Sequence, residues 1–211
     1  MRTIYASLNI ILILIVGIAQ GATPEKPDHA KESQPKHMVS FLPIYMTVNA
    51  IRIDYDFSLS NQHWIQVAPL LFLRNYTIQP FEENPEFTRL KGVGLHLYHR
   101  FYPAGKDFER ANVYISYGPI YQNLHFTYIE GSDLEFERYT HLHRLGGDVI
   151  IGVTAPIFDM LMLDFYAGMG IRHSLIESNA TRPERFNLFM GDYGFSGNTL
   201  LLGIRLSIPL K

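Results

Sequence analysis

The chain has 211 residues, of which 47% are hydrophobic and 18% charged, with a formal net charge of −2 and no cysteine. A soluble domain usually carries about 25% charged residues, so the chain is poor in charge for its length. The near-neutral balance offers no basic surface for nucleic acid. The absence of cysteine excludes disulfides, thiolate metal sites, a cysteine nucleophile and a lipidated N-terminal cysteine.

"MRT" followed by the apolar run "IILILIVGIA" (10–19) and the small residues "AQGA" (19–22) has the pattern of a signal peptide over residues 1–22. The run is short for a membrane-spanning helix. "TPEKPDHAKESQPKH" (23–37) is polar and proline-bearing and reads as a flexible leader. From residue 38 onward the pattern is that of strands. "MVSFLPIYM" (38–46) is expected as a first strand, joined through "TVNA" (47–50) to "IRIDYDFSL" (51–59), where Ile51, Ile53, Tyr55, Phe57 and Leu59 alternate with Arg52, Asp54, Asp56 and Ser58. Alternation of period two places successive side chains on opposite faces of a strand.

The third expected strand is "HWIQVAPLLFLR" (63–74), followed by a long polar segment (75–90). "KGVGLHLYHRFY" (91–102) sets Val93, Leu95, Leu97 and Phe101 against Gly94, His96, Tyr98 and Arg100. In "ANVYISYGPIYQNLHFTYI" (111–129) the polar phase changes at Gly118–Pro119, which predicts a bulge there. After a loop at 130–137, "RYTHLHRLGGDVIIGVT" (138–154) and "MLMLDFYAGMGIRHSLI" (160–176) alternate around a turn at "APIFD" (155–159). A loop over 177–196 precedes the last strand, "GNTLLLGIRLSIPLK" (197–211).

The connections alternate short and long, as in an outer-membrane barrel with short periplasmic turns and longer outer loops. The fold expected is all-β: an eight-stranded antiparallel transmembrane β-barrel, an up-and-down meander over 38–211 that follows the signal peptide. A soluble eight-stranded barrel would carry many Lys and Glu on its outer face. Here the polar strand positions are Arg, Asp, Gly, Ser, Tyr and His, while Lys and Glu gather in loops and leader. Compact residues and balanced charge suit a crowded interior. We therefore expect a lumen network of Arg52, Asp54, Asp56, Arg100, Arg144, Asp148, Asp164, Arg172 and Arg205, mutually neutralised because unpaired buried charge is costly. Phe57, Phe101, Tyr102, Phe126, Tyr128 and Phe158, near strand ends, are expected as interfacial girdles.

The stretches "IRIDYDFSLSNQHWIQV" (51–67), "LDFYAGMGIRHS" (163–174) and "GFSGNTLLLGIRLSIPL" (194–210) resemble the small outer-membrane β-barrel proteins of Bacteroidetes-type bacteria, filed as porin-family or OmpX-like. The resemblance implies the outer membrane of a Gram-negative cell. It implies no particular chemistry.

Three functional classes follow. The first is a structural or surface-interaction barrel with a filled lumen, surrounded by outer-membrane lipid. Its loops 75–90, 130–137 and 177–196 would meet a surface protein, lipopolysaccharide or a host ligand. Tyr76, Phe81 and Phe87 in one loop and Phe186, Phe189 and Tyr193 in another supply aromatic surface. The second is a narrow porin, disfavoured because eight strands enclose only enough space for side chains. The third is a lipid-modifying hydrolase at the rim, with His173, Ser174 and Glu177 as candidates. Adjacent strand residues face apart, so His173 and Ser174 pair only if the strand has ended. His125 is expected opposite His143, with His141 close in sequence, as a cross-strand pair able to bind a metal or respond to pH. Solvated rim histidines are the plainer reading of these residues. His96 is expected as a lumen hydrogen-bonding group and His99 near the interface. No cofactor and no nucleic-acid partner are expected.

Overall fold

The computed structural model describes residues 35–75, 89–129, 137–158, 160–179 and 192–210. Residues 1–34, with the expected signal peptide and most of the leader, lie outside that set, as do Tyr76, Phe81, Phe87, Phe186 and Phe189. Eight strands form one closed barrel in chain order: β1 His37–Phe41, β2 Ala50–Ser58, β3 His63–Asn75, β4 Arg89–Phe101, β5 Asn112–Ile129, β6 Glu137–Phe158, β7 Leu161–Ser178 and β8 Gly197–Leu210. Every neighbouring pair is antiparallel, including β1 with β8, whose five pairs join His37–Phe41 to Leu206–Leu210 and leave β8 from Gly197 to Arg205 without a β1 partner.

The stagger of the barrel follows from its register. From His37 the paired row runs through Phe57, Ile65, His99, Tyr117, Val149, Met169 and Leu200. The β8–β1 register then carries Leu200 to position 47, ten residues beyond the start. Such a shear tilts the strands by roughly 35–45° and leaves an interior that side chains fill.

The two faces differ in chemistry. Leu200, Leu202, Ile171 and Met169 point outward, with Leu202 72% exposed. Arg52, Asp54, Asp56, Arg100, Asp148, Asp164, Arg172 and Arg205 point inward and are buried, with Arg100 and Asp164 at 0% exposure. A greasy wall around a charged interior is the inverse of a soluble fold, and strand pairing satisfies the backbone along the paired rows, where no water can. β3 to β8 have 13 to 22 residues, more than the 9–11 needed to cross hydrocarbon.

Four expectations are corrected. The first strand ends at Phe41, and Pro43–Val48 form a 3-10 helix rather than more strand. Pro43 has no N–H for the ladder and suits a helical first turn. Asn49 then closes the helix in the left-handed region at φ 55, its N–H bonding the Met46 and Tyr45 carbonyls. The Gly118–Pro119 bulge is absent, because β5 pairs with β6 in one unbroken register from Asn112 to Ile129. The polar phase changes there for another reason: Ile120, Leu124 and Phe126 continue the inward face as apolar residues. The register shift lies instead between Pro156 and Phe158, inside the expected 155–159 turn, so β6 runs on to Phe158. Of the expected girdle aromatics, Phe57, Phe101 and Phe158 face outward, but Tyr102 and Phe126 are fully buried. The Tyr128 side chain lies outside the described set.

The wall polarity generates a direct test. Leu202→Arg, near the middle of the apolar belt, should destabilise the barrel by about 2–4 kcal/mol in bilayers, and Asn198→Arg at the rim by about 0–1 kcal/mol. Urea titration of the barrel folded into vesicles measures both.

Candidate functional site: the sealed lumen and the outer rim

The interior is built in layers. At the end that carries the short turns, Met38, Trp64, Tyr102, Tyr114 and Met162 form an apolar floor. The β4–β5 connection folds back under it. Lys106 in that turn is buried, donates to the Tyr102 hydroxyl at 3.2 Å and lies 2.9 Å from Met38 Sδ. Its Nζ sits over the rings of Trp64, Tyr102 and Phe108, at 4.2, 4.9 and 5.1 Å. Burial pushes this amine down to about 7, helped by the Arg100 guanidinium and opposed by Asp56 and Asp164.

Above the floor lies the charge network. Arg52 clasps Asp54 through two nitrogens, at 2.6 and 3.0 Å, and donates to the Tyr45 hydroxyl at 2.8 Å. Asp54 also accepts from Gln66 at 2.7 Å and faces Arg205 at 3.4 Å. Arg205 reaches on to Asp164 at 3.4 Å, and Asp164 takes Arg100 and the Tyr114 hydroxyl as well. Arg100 closes the chain to Asp56 at 3.5 Å. A second group joins Arg172, Asp148 and Tyr98, whose hydroxyl donates to Asp148 at 2.6 Å. His96 links the two, with Nδ1 3.3 Å from Arg52 and 3.0 Å from the Tyr98 hydroxyl. Four guanidinium groups (Arg52, Arg100, Arg172, Arg205) thus meet four carboxylates (Asp54, Asp56, Asp148, Asp164), and the network is neutral. Glycines make the room: a Cβ at Gly170 would strike Asp148 and Arg172, and one at Gly152 would strike the Tyr114 ring.

Arg144 stands apart. It lies nearer the mouth and donates to the Asp192 backbone carbonyl at 2.6 Å rather than to a network carboxylate. Over the network sits a second apolar layer of Ala50, Leu70, Phe72, Leu90, Leu124, Phe126 and Leu142, with Tyr45, Ile176 and Tyr193 against it. Tyr193 packs on Phe126 at 5.2 Å and donates to the Val48 carbonyl at 2.9 Å. The charges are therefore capped by apolar side chains on both sides. A cavity of about 880 Å³ lies between Pro43–Ile44 and β6–β8, beside the part of β8 that has no β1 partner, and is lined by the outward Ile151, Phe165, Ala167, Leu202 and Ile204 and by Gly152, Tyr166 and Gly203 of the inward phase.

The rim residues do not assemble as a hydrolase. β7 continues to Ser178, so His173 and Ser174 stay on opposite faces. His173 and Glu177 are exposed outward, while the Ser174 hydroxyl donates inward to the Phe195 carbonyl at 3.2 Å. A nucleophilic serine needs a base within hydrogen-bond reach, and Ser174 has its hydroxyl proton engaged by backbone. The β5–β6 register corrects the expected histidine pairing: His125 stands opposite His141, and His143 opposite Asn123. Sequence patterning missed Lys106, Gln66 and Tyr114 as members of the interior. Tyr114 shares the inward phase of Ser116 and was legible by parity, whereas nothing distinguishes Lys106 from any other turn lysine.

No family model matches the chain, and no curated protein does. Three solved structures are similar in fold. Neisserial surface protein A shares 9% identity at a TM-score of 0.47, covering 85% of this chain and 100% of that one. The N-terminal β-barrel domain of Pseudomonas aeruginosa OprF shares 9% at 0.41, covering 83% and 98%. A major outer membrane protein from Thermus thermophilus shares 12% at 0.46, covering 85% and 99%. The likeness is remote.

The interior can be tested at two positions. Asp164→Asn strips a charge from both Arg100 and Arg205 and should cost about 3–5 kcal/mol, the usual penalty for orphaning a buried ionic partner; urea midpoints in detergent measure it. Lys106 has a folded value near 7 against an ordinary 10.5, so the unfolded chain binds the extra proton between those values. Stability should therefore rise with pH across that window. Wild type should gain in urea midpoint from about pH 7 to pH 10 relative to Lys106→Met, which lacks this titration.

Proposed function

We propose that the protein is an integral outer-membrane β-barrel of structural or surface-interaction type, inert in its lumen and acting through its outward surfaces. It lies in the outer membrane of a Gram-negative envelope, turning Leu202 and Ile171 to lipid, with β1, at five residues, the one strand among those described too short to cross by itself. The observation that carries this reading is the pairing of a closed apolar wall with a neutral charge network sealed between two apolar layers. A protein in water has no use for such a wall, and a channel has no use for such a seal. Barrels of this size fill with side chains, whereas water-filled channels belong to barrels of about 16–18 strands.

The short β1–β2 connection and the strand ends that flank 76–88, 130–136 and 179–196 share one end of the barrel, as the antiparallel topology requires. This is the outer end, since outer-membrane barrels turn their short connections inward. Partners at that end, whether lipopolysaccharide, a surface protein or a host ligand, would meet loops carried on a rigid scaffold. Within the outer-membrane barrels, the stretches 51–67, 163–174 and 194–210 favour the Bacteroidetes-type, OmpX-like group. A lipid-modifying hydrolase finds no support in the opposite-facing His173 and Ser174.

Planar-bilayer recording of the purified barrel tests the filled lumen. We expect a folded protein, shown by its altered gel migration before boiling, that gives no stepwise open-channel current. Sustained steps from folded wild type would overturn the sealed-lumen reading.

A further inference from the structure

The histidines of the outer wall have no part in the lumen. At the loop end, His125 of β5 and His141 of β6 are direct register partners on the outward face. Their Nδ1 atoms are 3.3 Å apart, and their ring centroids 4.3 Å. Two nitrogens bound to one tetrahedral zinc at 2.0–2.1 Å are themselves about 3.3 Å apart. The pair thus already spans the edge of a metal coordination shell.

The surroundings hold that geometry. Thr127 Oγ1 lies 3.3 Å from His125 Nε2. A proton on Nε2, donated to this hydroxyl, leaves the Nδ1 lone pair directed at His141. Metal-binding histidines commonly fix their tautomer by such a bond from the other ring nitrogen. Tyr139 stacks beside His125 at 6.4 Å and meets His141 edge-on at 5.4 Å, restricting both rings. Glu177 of β7 is the register partner of His141 and is exposed on the same face. Facing side chains on adjacent strands have Cβ atoms about 4.5–5.5 Å apart, within the reach of a glutamate. No third His, Cys, Asp or Glu completes a cluster with the pair among the described residues, so water fills the rest of the shell. Lys91, opposite His125 on β4, puts a cation in that row and opposes metal charge.

The other histidine pair lacks these supports. His63 and His99 also approach, with nitrogens 3.1 Å apart, but their rings stack at 20° with centroids 5.2 Å apart, wedged beside Phe101 and Tyr117. Among the described residues the second ring nitrogen of His99, Nδ1, is buried without a hydrogen-bond partner, so nothing orients this ring as Thr127 orients His125.

We propose that His125 and His141 form a binding site for a divalent transition-metal ion on the outward rim of the barrel, with Thr127 fixing the ligand tautomer and Glu177 a carboxylate in the same register row. Imidazole ligands with carboxylate and water suit Cu²⁺, Ni²⁺ and Zn²⁺ rather than Mg²⁺ or Ca²⁺. The site goes beyond the structural role proposed above and is independent of it, because it needs the folded barrel and no bilayer.

The test uses the tag-free, detergent-folded chain and Cu²⁺ and Zn²⁺ as probes. Electron paramagnetic resonance of the Cu²⁺-loaded wild type should show coupling to two imidazole nitrogens. A spectrum without two-nitrogen coupling overturns the site, whatever the variants do. Competition with a chromophoric chelator should then show binding lost in the His125→Gln/His141→Gln double variant and kept in His63→Gln/His99→Gln. Thr127→Val should weaken affinity by about tenfold or more, as for other ligand-orienting partners. Binding that survives the His125/His141 double variant, or that is equally lost with the His63/His99 variant, overturns the assignment. Gel migration before boiling establishes folding of each variant, so a failure of the metal site stands apart from a failure of the barrel.

Discussion

The constraint on which the molecule depends is closure at a fixed, small circumference. Eight strands with a shear of ten leave an interior that must be filled, since the wall has no freedom to collapse inward. The occupants of that interior are charged, and their charges must cancel on the spot. Asp164 shows how tightly this is arranged: one carboxylate serves Arg100, Arg205 and Tyr114 together. No partner can be removed without leaving another with an uncompensated charge far from water. The fold and its electrostatics are one problem with one solution.

The sealed lumen proposed above rests on this layering. A charged core open to water at either end would be a hydrated path. Here Trp64, Tyr102 and Lys106 close one end, and Leu90, Leu124, Phe126 and Leu142 close the other. The floor is unusual in using a cation as its stopper. An ammonium above aromatic faces is attracted to them, while burial pushes the Lys106 amine down from its ordinary range against the pull of Asp56 and Asp164.

Much of this could be read from alternation alone. Arg52, Asp54 and Asp56 share parity, so a single face had to take all three, and the lack of surface Lys and Glu said which face was dry. The strands were legible for the same reason. What alternation hid was the second apolar layer. On β5, Ile120, Leu124 and Phe126 keep inward parity while changing chemistry, and the change mimics a bulge. Period two fixes which face a residue joins, not what that face meets at a given height. The same blindness sent Tyr102 and Phe126 to the lipid interface in the expectation and into the core in the structure. The partner of His125 was missed on a different point: pairing across a hairpin depends on the loop's centre, which a polar loop does not mark. The ending of β1 was signalled by Pro43 and Asn49, whose backbone preferences outweigh the apolar run around them.

The charge network also does something that apolar patterning cannot. Sliding β2 by one residue against β3 would expel Arg52, Asp54 and Asp56 into lipid, and the greasy wall alone forbids that. Sliding it by two preserves both faces. The wall would remain apolar and the lumen polar, and binary pattern would score the two registers alike. The network does not. A two-residue slip carries Asp54 away from the Gln66 amide and from Arg205, and Asp56 away from Arg100, while the Arg52–Asp54 pair within β2 travels together and fixes nothing. The interstrand ion pairs thus distinguish registers that apolar patterning scores alike. Their weak net contribution to stability, expected for charges taken out of water, is no argument against their importance. In a barrel that must choose among slips of even length, they supply the discrimination that hydrophobicity leaves undone.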